Sequence, residues 1–215
     1  MGILLLLWPA SSLRESYSPR GYAAIAGVDE AGRGCLFGPV VAAAVVFPES
    51  YYHAGSDPWL QDLDDSKKLS PKMREALFRR IMSHARSVGL GQATHLEIDK
   101  INIRRASFLA MKRAIADLSI KADYLLVDGF RLEDAACPQQ GIPKGDSRSA
   151  TIAAASIVAK VHRDRLMQEL DRVYNGYGIA QHKGYGTRQH YEALNKMGPT
   201  PMHRLSFNIL DGMKK

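Results

Sequence analysis

Cysteine is scarce in this sequence, which has only Cys35 and Cys137 among its 215 residues. The two lie far apart and belong to no CxxC pair. This usage argues against a disulfide framework and against a zinc site built from thiolates. It fits a protein that works in a reducing compartment, and we therefore expect a cytoplasmic location.

Apolar runs of membrane-spanning length are missing as well. The run from Ile3 to Trp8 is too short to cross a bilayer, and no Lys or Arg precedes it as in a signal peptide. No other stretch approaches the length of a transmembrane helix. We interpret residues 1–20 as an N-terminal extension. Either it results from a misplaced start of the reading frame, or it is disordered, or it packs on the surface.

Acidic residues are outnumbered, with 22 Asp and Glu against 29 Lys and Arg, which gives a formal net charge of +7. The isoelectric point is about 9.4. This balance favours a polyanionic partner, either nucleic acid or an anionic membrane, although a basic protein without such a partner fits the charge equally well. Apolar residues make up 46% of the chain, which is enough for a packed core.

The sequence shows no internal repeat, and its apolar patterns predict an α/β domain with a small helical C-terminal part. Strands are predicted over 22–28, 39–47, 87–96 and 124–129. Helices are predicted from Pro71 with Ser70 as the cap, over 97–118, over 150–174 and over 188–196. A proline-rich loop is predicted over 137–149. The expected divisions are 1–20, a catalytic domain over 21–175, and a helical substrate-binding part over 176–215.

Acidic residues stand at the ends of two predicted strands. Asp29 and Glu30 follow the first strand, and Asp128 follows the fourth. Ligands of open α/β sheets gather at the carboxyl ends of strands, so these three carboxylates converge if the two strands are neighbours. A shared proton, as in aspartic proteases, would relieve their repulsion, and so would a divalent cation. Oxygen ligands without histidine in these motifs favour Mg²⁺ or Mn²⁺.

Each of these residues also has an alternative interpretation that involves no metal site. Asp128 before a glycine is also a common turn, and only together with the other acids does it predict a metal site. On the helix predicted over 150–174, Ser156, Lys160 and Asp164 share one face. Asp164 could complete a two-metal site and Lys160 could hold a phosphate, or the face is simply solvated.

Other motifs are suited to binding phosphate and sugar. The "AGRG" stretch exposes backbone groups without side chains, and Arg33 within it can bind a phosphate with two hydrogen bonds. Lys67 and Lys68 stand beside a predicted helix start. Tyr185 lies between glycines in "HKGYGT", where its ring can stack on a sugar or base. The alternatives are a tight turn, a solvated lysine pair and a tyrosine packed on its own domain.

Taken together, these motifs resemble ribonuclease HII, the type 2 ribonuclease H family. The matching stretches are "AGVDEAGRG", "GPVVAAAVV", "DSKKLSPKMRE", "VDG", "KGDSRSATIAAASIVAKVHRDRLM" and "HKGYGTRQHYEAL", in family order over residues 25–207. The resemblance implies a ribonuclease H-like mixed sheet flanked by helices. It implies cleavage of the RNA strand of RNA–DNA hybrids, and cleavage 5′ to single ribonucleotides in duplex DNA, which leaves 5′-phosphate and 3′-hydroxyl ends. Such an activity serves ribonucleotide excision repair.

The resemblance also assigns roles to particular residues. The acids implied to hold two Mg²⁺ or Mn²⁺ ions and to carry the catalysis are Asp29, Glu30, Asp128 and Asp164. The loop implied to sense the 2′-hydroxyl consists of Gly32, Arg33 and Gly34. Tyr185 is implied to stack on the sugar at the junction. The residues that we expect to contact the nucleic-acid backbone are Lys67, Lys68, Ser149 and Lys160.

Two other functions stay open at this point. A different metal-dependent nuclease of the same fold, such as a resolvase, would cut DNA without needing a 2′-hydroxyl. A non-catalytic nucleic-acid-binding protein would gain nothing from acids that face phosphates. The sequence "CLF" at residues 35–37 departs from the Pro-Leu-Ala more usual in the family, which affects the stiffness of the loop. We expect His182 and His203 to be structural, and the protein to be a monomer without an obligate protein partner.

Overall fold

The computed structural model describes residues 5–7, 15–17, 21–52, 58–207 and 209. The strands are β1 (Leu5–Leu7), β2 (Glu15–Tyr17), β3 (Ile25–Ala31), β4 (Val40–Val46), β5 (Ser87–Ala93), β6 (Tyr124–Asp128) and β7 (Gln139–Ile142). The helices are α1 (Pro71–His84), α2 (His95–Ile101), α3 (Ile103–Ala116), α4 (Ala150–Val173), α5 (Ile179–His182) and α6 (Arg188–Met197). Short 3₁₀ turns lie at Glu49–Tyr52, Pro58–Asp62, Gly145–Ser147 and Leu205–Phe207.

Five strands form one mixed sheet in the order β5-β4-β3-β6-β7. β3 pairs antiparallel with β4 and parallel with β6, and β6 pairs parallel with β7. β1 and β2 form a separate antiparallel pair. The predicted mixed sheet flanked by helices is therefore confirmed. In the described ranges, no helix is both long enough and apolar enough to span a bilayer.

The central strand β4 is buried on both faces, as its unbroken apolar sequence predicts. Its residues Val40, Ala42, Ala44 and Val46 belong to the cluster that contains α3. Its residues Ala43 and Val45 belong to the cluster that contains α4. The two helices therefore cover opposite faces of the sheet, and the catalytic candidates at the strand ends lie between them.

Helix α4 lies unusually close to β3. A methyl group added at Gly27 would overlap the backbone of Thr151 and would lie 2.5 Å from the nitrogen of Ile152. The small residues Ala153 to Ala155 of α4 are buried in the same contact region. Backbone therefore packs almost directly on backbone, which fixes the height of α4 above the strand that carries the first two acids.

Several predicted elements have different boundaries in the structure. The predicted cap of α1 is confirmed, because the Met73 amide donates to the Ser70 hydroxyl at 3.2 Å. The prediction of one helix over 97–118 is wrong, since Asn102 interrupts it with a φ of 67°. The Asn102 side chain caps α3 by accepting from the Arg105 amide at 3.2 Å.

The proline-rich stretch 137–149 is also not a plain loop. It contains β7, which occupies the edge of the sheet beside β6. Sequence patterns do not predict β7, because it is short and polar and is flanked by prolines. Its pairing at the edge of the sheet depends on the neighbouring strand β6. Most of the predicted extension over 1–20 lies outside the described residues, so its state stays a prediction.

The C-terminal part packs against α4 and against the loop between β3 and β4. Its residues Tyr177, Ile179 and Leu194 share a cluster with Phe37 and Met167. The division of the chain at residue 175 stays a prediction, but this part and the sheet domain share a continuous apolar contact.

Three buried histidines pack against one another in this C-terminal part. The rings of His182 and His190 stack at 4.3 Å, and the Nε2 atoms of His190 and His203 lie 3.1 Å apart. The His182 Nε2 atom also lies 2.8 Å from the Tyr177 carbonyl oxygen. The structure thus gives His182 and His203 the structural role that we expected.

Substitution of Gly27 by alanine should destabilise the fold strongly. The new methyl group would overlap the α4 backbone, which can yield only by moving the helix. We expect a loss of at least about 3 kcal/mol in the free energy of unfolding, measured by urea denaturation. Gly34→Ala is the control, because a methyl group there meets nothing within 4 Å. Equal stability of the two variants would contradict this packing.

The histidine cluster should make stability depend on pH. Burial, together with the neighbouring imidazoles, lowers the pKa of His190 and His203 to about 4. The unfolded chain has histidine pKa values near 6.5, so this stabilisation is complete above pH 6.5 and is lost as the pH falls towards 4. At most about 3 kcal/mol per histidine is at stake.

The measurement is the urea midpoint between pH 7 and pH 4.5 for the wild type and for His203→Asn. Because other groups titrate in this range, the difference between the two proteins isolates the histidine contribution. The variant should lose less stability on acidification than the wild type. Parallel curves would show that the cluster does not govern the acid response.

Candidate active site

The first two acids lie at the end of β3, and the third ends its parallel neighbour β6. Val28 of β3 is in register with Val127 of β6, which places Asp29 beside Asp128. Asp29 and Glu30 are themselves strand residues, because β3 ends later than predicted, at Ala31. The expected convergence of the two strand ends is therefore present.

Asp29 is the most deeply buried of these acids. Its side chain accepts a hydrogen bond from the Glu30 amide at 2.7 Å. Burial raises its pKa well above the usual range, and the charges of Glu30 and Asp128 raise it further. A hydrogen bond with Ser156 of α4 acts in the opposite direction. Asp29 therefore lies in a setting that a positive ion would stabilise.

Glu30 faces both the acids and the "AGRG" loop. Burial raises its pKa, Arg33 lowers it, and Asp128 raises it. The Arg33 Nη1 atom lies 3.3 Å from the Glu30 Oε1 atom. Arg33 is otherwise exposed, so its guanidinium balances Glu30 without being enclosed.

A further acid, Asp146, was missed by sequence reasoning. It lies in the turn Gly145–Ser147, whose Gly145 amide donates to the Asp128 carboxylate at 2.7 Å. Burial raises the pKa of Asp146 to about 6, with further contributions from Asp65 and Asp128, while Lys67 lowers it. The sequence signal for it is an acid after glycine in "KGDS", just before the helix predicted over 150–174.

The two predicted phosphate-binding lysines have different surroundings. Partial burial lowers the pKa of Lys67, but the carboxylates of Asp65, Asp29 and Asp146 more than offset this and raise it overall. Lys68 instead lies 3.4 Å from Asp64 on the exposed side of the loop. Only Lys67 therefore faces the acidic cluster.

Asp164 pairs with a neighbour on its own helix. Its carboxylate accepts a hydrogen bond from the Lys160 ammonium group at 2.6 Å, so the two predicted site residues pair with each other. Ser156, the α4 residue that contacts Asp29, lies two turns away, about 12 Å along the helix axis. The geometry thus favours Asp146 over Asp164 as the fourth acid.

Ser149 is also placed differently from our expectation. It is the N-cap of α4, and its hydroxyl accepts from the Ile152 amide at 3.5 Å. The side chain is buried, and its hydroxyl lies 2.9 Å from that of Thr151. These contacts give Ser149 a role in starting α4, and with 4% of the residue exposed its contact with a phosphate stays a prediction.

The loop of Gly32, Arg33 and Gly34 lies on a buried arginine. Gly32 has a φ of 92°, and a methyl group on it would lie 2.5 Å from the Cδ atom of Arg163. The Arg163 guanidinium donates to the carbonyl oxygens of Phe37 at 3.1 Å, Pro39 at 3.2 Å and Lys183 at 2.8 Å. It thereby joins the β3–β4 loop to the C-terminal part.

A second buried arginine supports the same loop from the other side. Arg204 donates to the carbonyl oxygens of Gly38 at 2.8 Å and Arg33 at 3.0 Å. Burial lowers its pKa to about 10, and the charge of Arg163 contributes. Between these two guanidinium groups the loop has a fixed path, with Arg33 and Gly34 exposed at its surface.

Tyr185 lies beside this loop. The Leu36 amide donates to the Gly184 carbonyl at 2.8 Å, and Cys35 and Tyr185 form an isolated antiparallel bridge. The Tyr185 side chain is 38% exposed, so part of its ring faces solvent. The two motifs that the sequence analysis linked to sugar binding are therefore neighbours.

The donor chemistry of this cluster fits divalent cations. Carboxylate oxygens are hard ligands. Burial, and to a smaller extent the neighbouring acids, raises the pKa of Asp29, Glu30 and Asp146, and a bound cation would offset both effects. Within the described ranges, no three acidic, histidine or cysteine side chains already form a ligand set. Arg33 and the Gly145 amide hold Glu30 and Asp128 instead.

Comparison with known proteins identifies one family. The family model of Ribonuclease HII matches residues 26–210. Ribonuclease HII of Geobacter sulfurreducens is 53% identical over 188 residues, which cover 87% of this chain and 83% of that protein. The crystal structure of ribonuclease H2 from Pyrococcus horikoshii superposes with a TM-score of 0.71 at 26% identity and covers 89% of this chain and 97% of that one.

A more distant structure shares the fold. Bst-RNase HIII in complex with Mn²⁺ has a TM-score of 0.65 at 18% identity, and the similarity covers 89% of this chain and 69% of that one. Together with the mixed sheet described above, these similarities confirm the ribonuclease H-like fold.

Binding of Mn²⁺ should separate the two candidates for the fourth acid. Asp146→Asn should weaken Mn²⁺ affinity about tenfold or more, because it removes a negative charge next to Asp128. Asp164→Asn is the matched control and should leave the affinity nearly unchanged. Titration calorimetry, or electron paramagnetic resonance of free Mn²⁺, measures both. A larger loss in Asp164→Asn would restore it as the ligand.

Proposed function

The chain belongs to the ribonuclease HII family and is a ribonuclease H, and from this premise we propose its substrates and mechanism. It cleaves the RNA strand of RNA–DNA hybrids and cuts 5′ to single ribonucleotides embedded in duplex DNA. The products carry 5′-phosphate and 3′-hydroxyl ends. The observation that carries this proposal is the pairing of buried Asp29 with half-buried Asp128, next to the "AGRG" loop and Tyr185.

The acids would hold two Mg²⁺ or Mn²⁺ ions. We propose that the ligands come from the four residues of the acidic cluster, namely Asp29, Glu30, Asp128 and Asp146. When bound, the two ions would activate a water molecule for in-line attack on phosphorus and would neutralise the negative charge at the departing 3′-oxygen. The Mn²⁺ complex of Bst-RNase HIII, which shares the fold, is consistent with this metal class.

The residues around the acids position the substrate. The Glu30 amide fixes the Asp29 carboxylate, and the Gly145 amide fixes that of Asp128, so both acids are oriented before substrate arrives. Lys67 provides positive charge at the rim of the cluster, where a phosphate of the cleaved strand would lie. The exposed Arg33 side chain can exchange its pairing with Glu30 for a phosphate oxygen.

Recognition of RNA depends on the 2′-hydroxyl, the group that distinguishes the two sugars. We propose that the backbone of Gly32, Arg33 and Gly34 contacts this hydroxyl while Tyr185 stacks on the sugar at the junction. Arg163 and Arg204 support this role because they hold the loop carbonyls in place. The sensor is thus formed largely by backbone, which makes it independent of base sequence.

The net charge and composition of the chain indicate what kind of partner it binds. A net charge of +7 favours binding along a phosphate backbone, which makes affinity sensitive to salt. We propose a cytoplasmic monomer that removes misincorporated ribonucleotides from DNA and needs no obligate protein partner. A non-catalytic binding protein is set aside, because the family is one of hydrolases.

The deciding experiment uses a labelled DNA duplex that carries one ribonucleotide, with Mg²⁺, Mn²⁺ or EDTA. The wild type should cut 5′ to the ribonucleotide only with metal. Asp29→Asn should lower the rate about a thousandfold or more, because it removes a central ligand. The variant should fold normally, since it removes a buried charge that its neighbours repel, and circular dichroism checks this.

An all-DNA duplex and a long RNA–DNA hybrid serve as comparison substrates. Cleavage of the all-DNA duplex at the same rate would identify a nuclease that ignores the 2′-hydroxyl. Cleavage of the long hybrid alone would keep the metal site and contradict the proposed junction sensor of Gly32–Gly34 and Tyr185. Activity that survives EDTA would contradict the metal requirement.

A further inference from the structure

Phe130 is an exposed aromatic residue close to the acidic cluster. It follows Asp128 by two residues, so the Cα atoms of the two lie at most about 7 Å apart. The residue is 62% exposed. Its amide donates to the Asp128 carbonyl at 3.1 Å, and a methyl group on Gly141 would lie 2.9 Å from its carbonyl carbon. Single exposed apolar residues are common on protein surfaces, but this ring stands on a closely packed turn beside the site.

An arginine of α3 contacts the Phe130 ring. The guanidinium carbon of Arg104 lies 5.8 Å from the centroid of the Phe130 ring and 5.7 Å from that of Phe108. At this distance a guanidinium group is attracted to the face of a ring. Phe108 packs on the apolar cluster that contains α3, whereas Arg104 and Phe130 are exposed. The Arg104–Phe130 stack therefore presents an apolar ring and a positive charge side by side at the surface.

The acids face the other side of the sheet, towards α4. Asp29 is in register with Ala43, which belongs to the apolar cluster that contains α4. Asp128 shares a face with Leu126, two residues before it, and Leu126 packs with Ile152 of α4. Paired residues of neighbouring strands, and alternate residues of one strand, lie on the same face of a sheet. A strand whose phosphate reaches these carboxylates therefore passes over the α4 side of the strand ends.

The Arg104–Phe130 stack lies at the same strand ends on the α3 side. Methyl groups on Gly89 and Gly91 of β5 would overlap the carbonyl oxygens of Ala114 and Ala110, so α3 runs antiparallel to β5. The first turn of α3 thus lies beyond the end of β5, which is in register with the start of β4 beside the end of β3. The two strands of a duplex flank grooves roughly 6 to 12 Å wide, so a duplex on the acids can reach both faces.

Positive charge surrounds the stack. Arg105 of α3, Arg131 next to Phe130, and Lys100 near the end of α2 are all exposed. Guanidinium groups bind phosphate oxygens with two hydrogen bonds. Bases inside a duplex are stacked and out of reach, so an aromatic ring here meets the edges of sugars. This surface is therefore complementary to the sugar-phosphate backbone of a strand.

We propose that the Arg104–Phe130 stack binds the uncut DNA strand opposite the cleavage site, with the Phe130 ring against its sugars and Arg104 on its phosphates. This inference rests on the proposed function, which supplies the duplex substrate. Contacts with a strand that does not react are equal in the ground state and the transition state. They therefore lower KM and leave kcat unchanged.

Kinetics on the duplex that carries one ribonucleotide test this contact. Phe130→Ala should raise KM about fivefold to tenfold with kcat nearly unchanged, the low end of the range for aromatic contacts with nucleic acids. Phe130→Tyr keeps the ring and should retain most of the affinity. Val173→Ala is the matched control and should leave KM unchanged, because Val173 is 70% exposed and lies about 25 Å along α4 from Ser156. Circular dichroism checks the folding of each variant.

The salt dependence of binding separates the roles of the two residues. Fluorescence anisotropy with a labelled duplex in EDTA measures affinity without cleavage. Arg104→Gln should reduce the slope of log affinity against log salt by about one, because it removes one phosphate contact. Phe130→Ala should weaken binding without changing this slope. An unchanged slope in Arg104→Gln would contradict the phosphate contact.

A photocrosslink identifies the strand that the stack binds. With p-benzoylphenylalanine introduced at position 130, irradiation should crosslink the protein to the uncut strand of a duplex whose strands carry different labels. Crosslinking to the ribonucleotide-containing strand alone would overturn the assignment.

The outcomes also separate this inference from the function on which it rests. An unchanged KM in Phe130→Ala would overturn the inference while the nuclease function stands. If wild-type protein cleaves neither the duplex with one ribonucleotide nor a long hybrid in the presence of metal, the proposed function fails and this inference fails with it.

Discussion

The buried guanidinium group of Arg163 is the interaction on which the arrangement of this site depends. It is 1% exposed and donates to three backbone carbonyls from two separate segments. Removing it would leave those carbonyls without a buried donor. Because Arg163 belongs to α4, the helix that also contacts Asp29, one helix positions both the acids and the loops that would recognise the sugar.

The acidic cluster of the site and the basic surface of the protein have opposite electrostatic effects on a bound phosphate backbone. The protein as a whole is basic, which suits a phosphate backbone, while the carboxylates at the end of β3 and β6 repel both one another and that backbone. Positive side chains partly balance the negative charge of these acids. Arg33 lies beside Glu30, and Lys67 lies near Asp29 and Asp146. The remaining negative charge is confined to a small, partly buried region, which favours a multivalent cation there.

The sequence allowed the strand-end acids to be predicted, because parallel neighbours in a sheet bring their carboxyl ends together. It did not reveal Asp146, which we propose as the fourth acid, since the position of Asp146 depends on the turn after β7, a short edge strand between two prolines. Helical spacing placed Lys160 and Asp164 on one face correctly, but spacing cannot say what that face meets, and the two residues pair with each other. The break at Asn102 was missed because the apolar spacing continues across it.

The contact of Gly27 with Thr151 has a consequence for motion. With no side chain between β3 and α4 there is no layer that can slide, so strand and helix are coupled as one rigid body. Since Arg163 and Arg204 also hold the backbone of the β3–β4 loop, any adjustment to a bound duplex is left to exposed side chains such as those of Arg33 and Tyr185. The carboxylates would keep their positions while these side chains rearrange on the faster timescale of exposed groups.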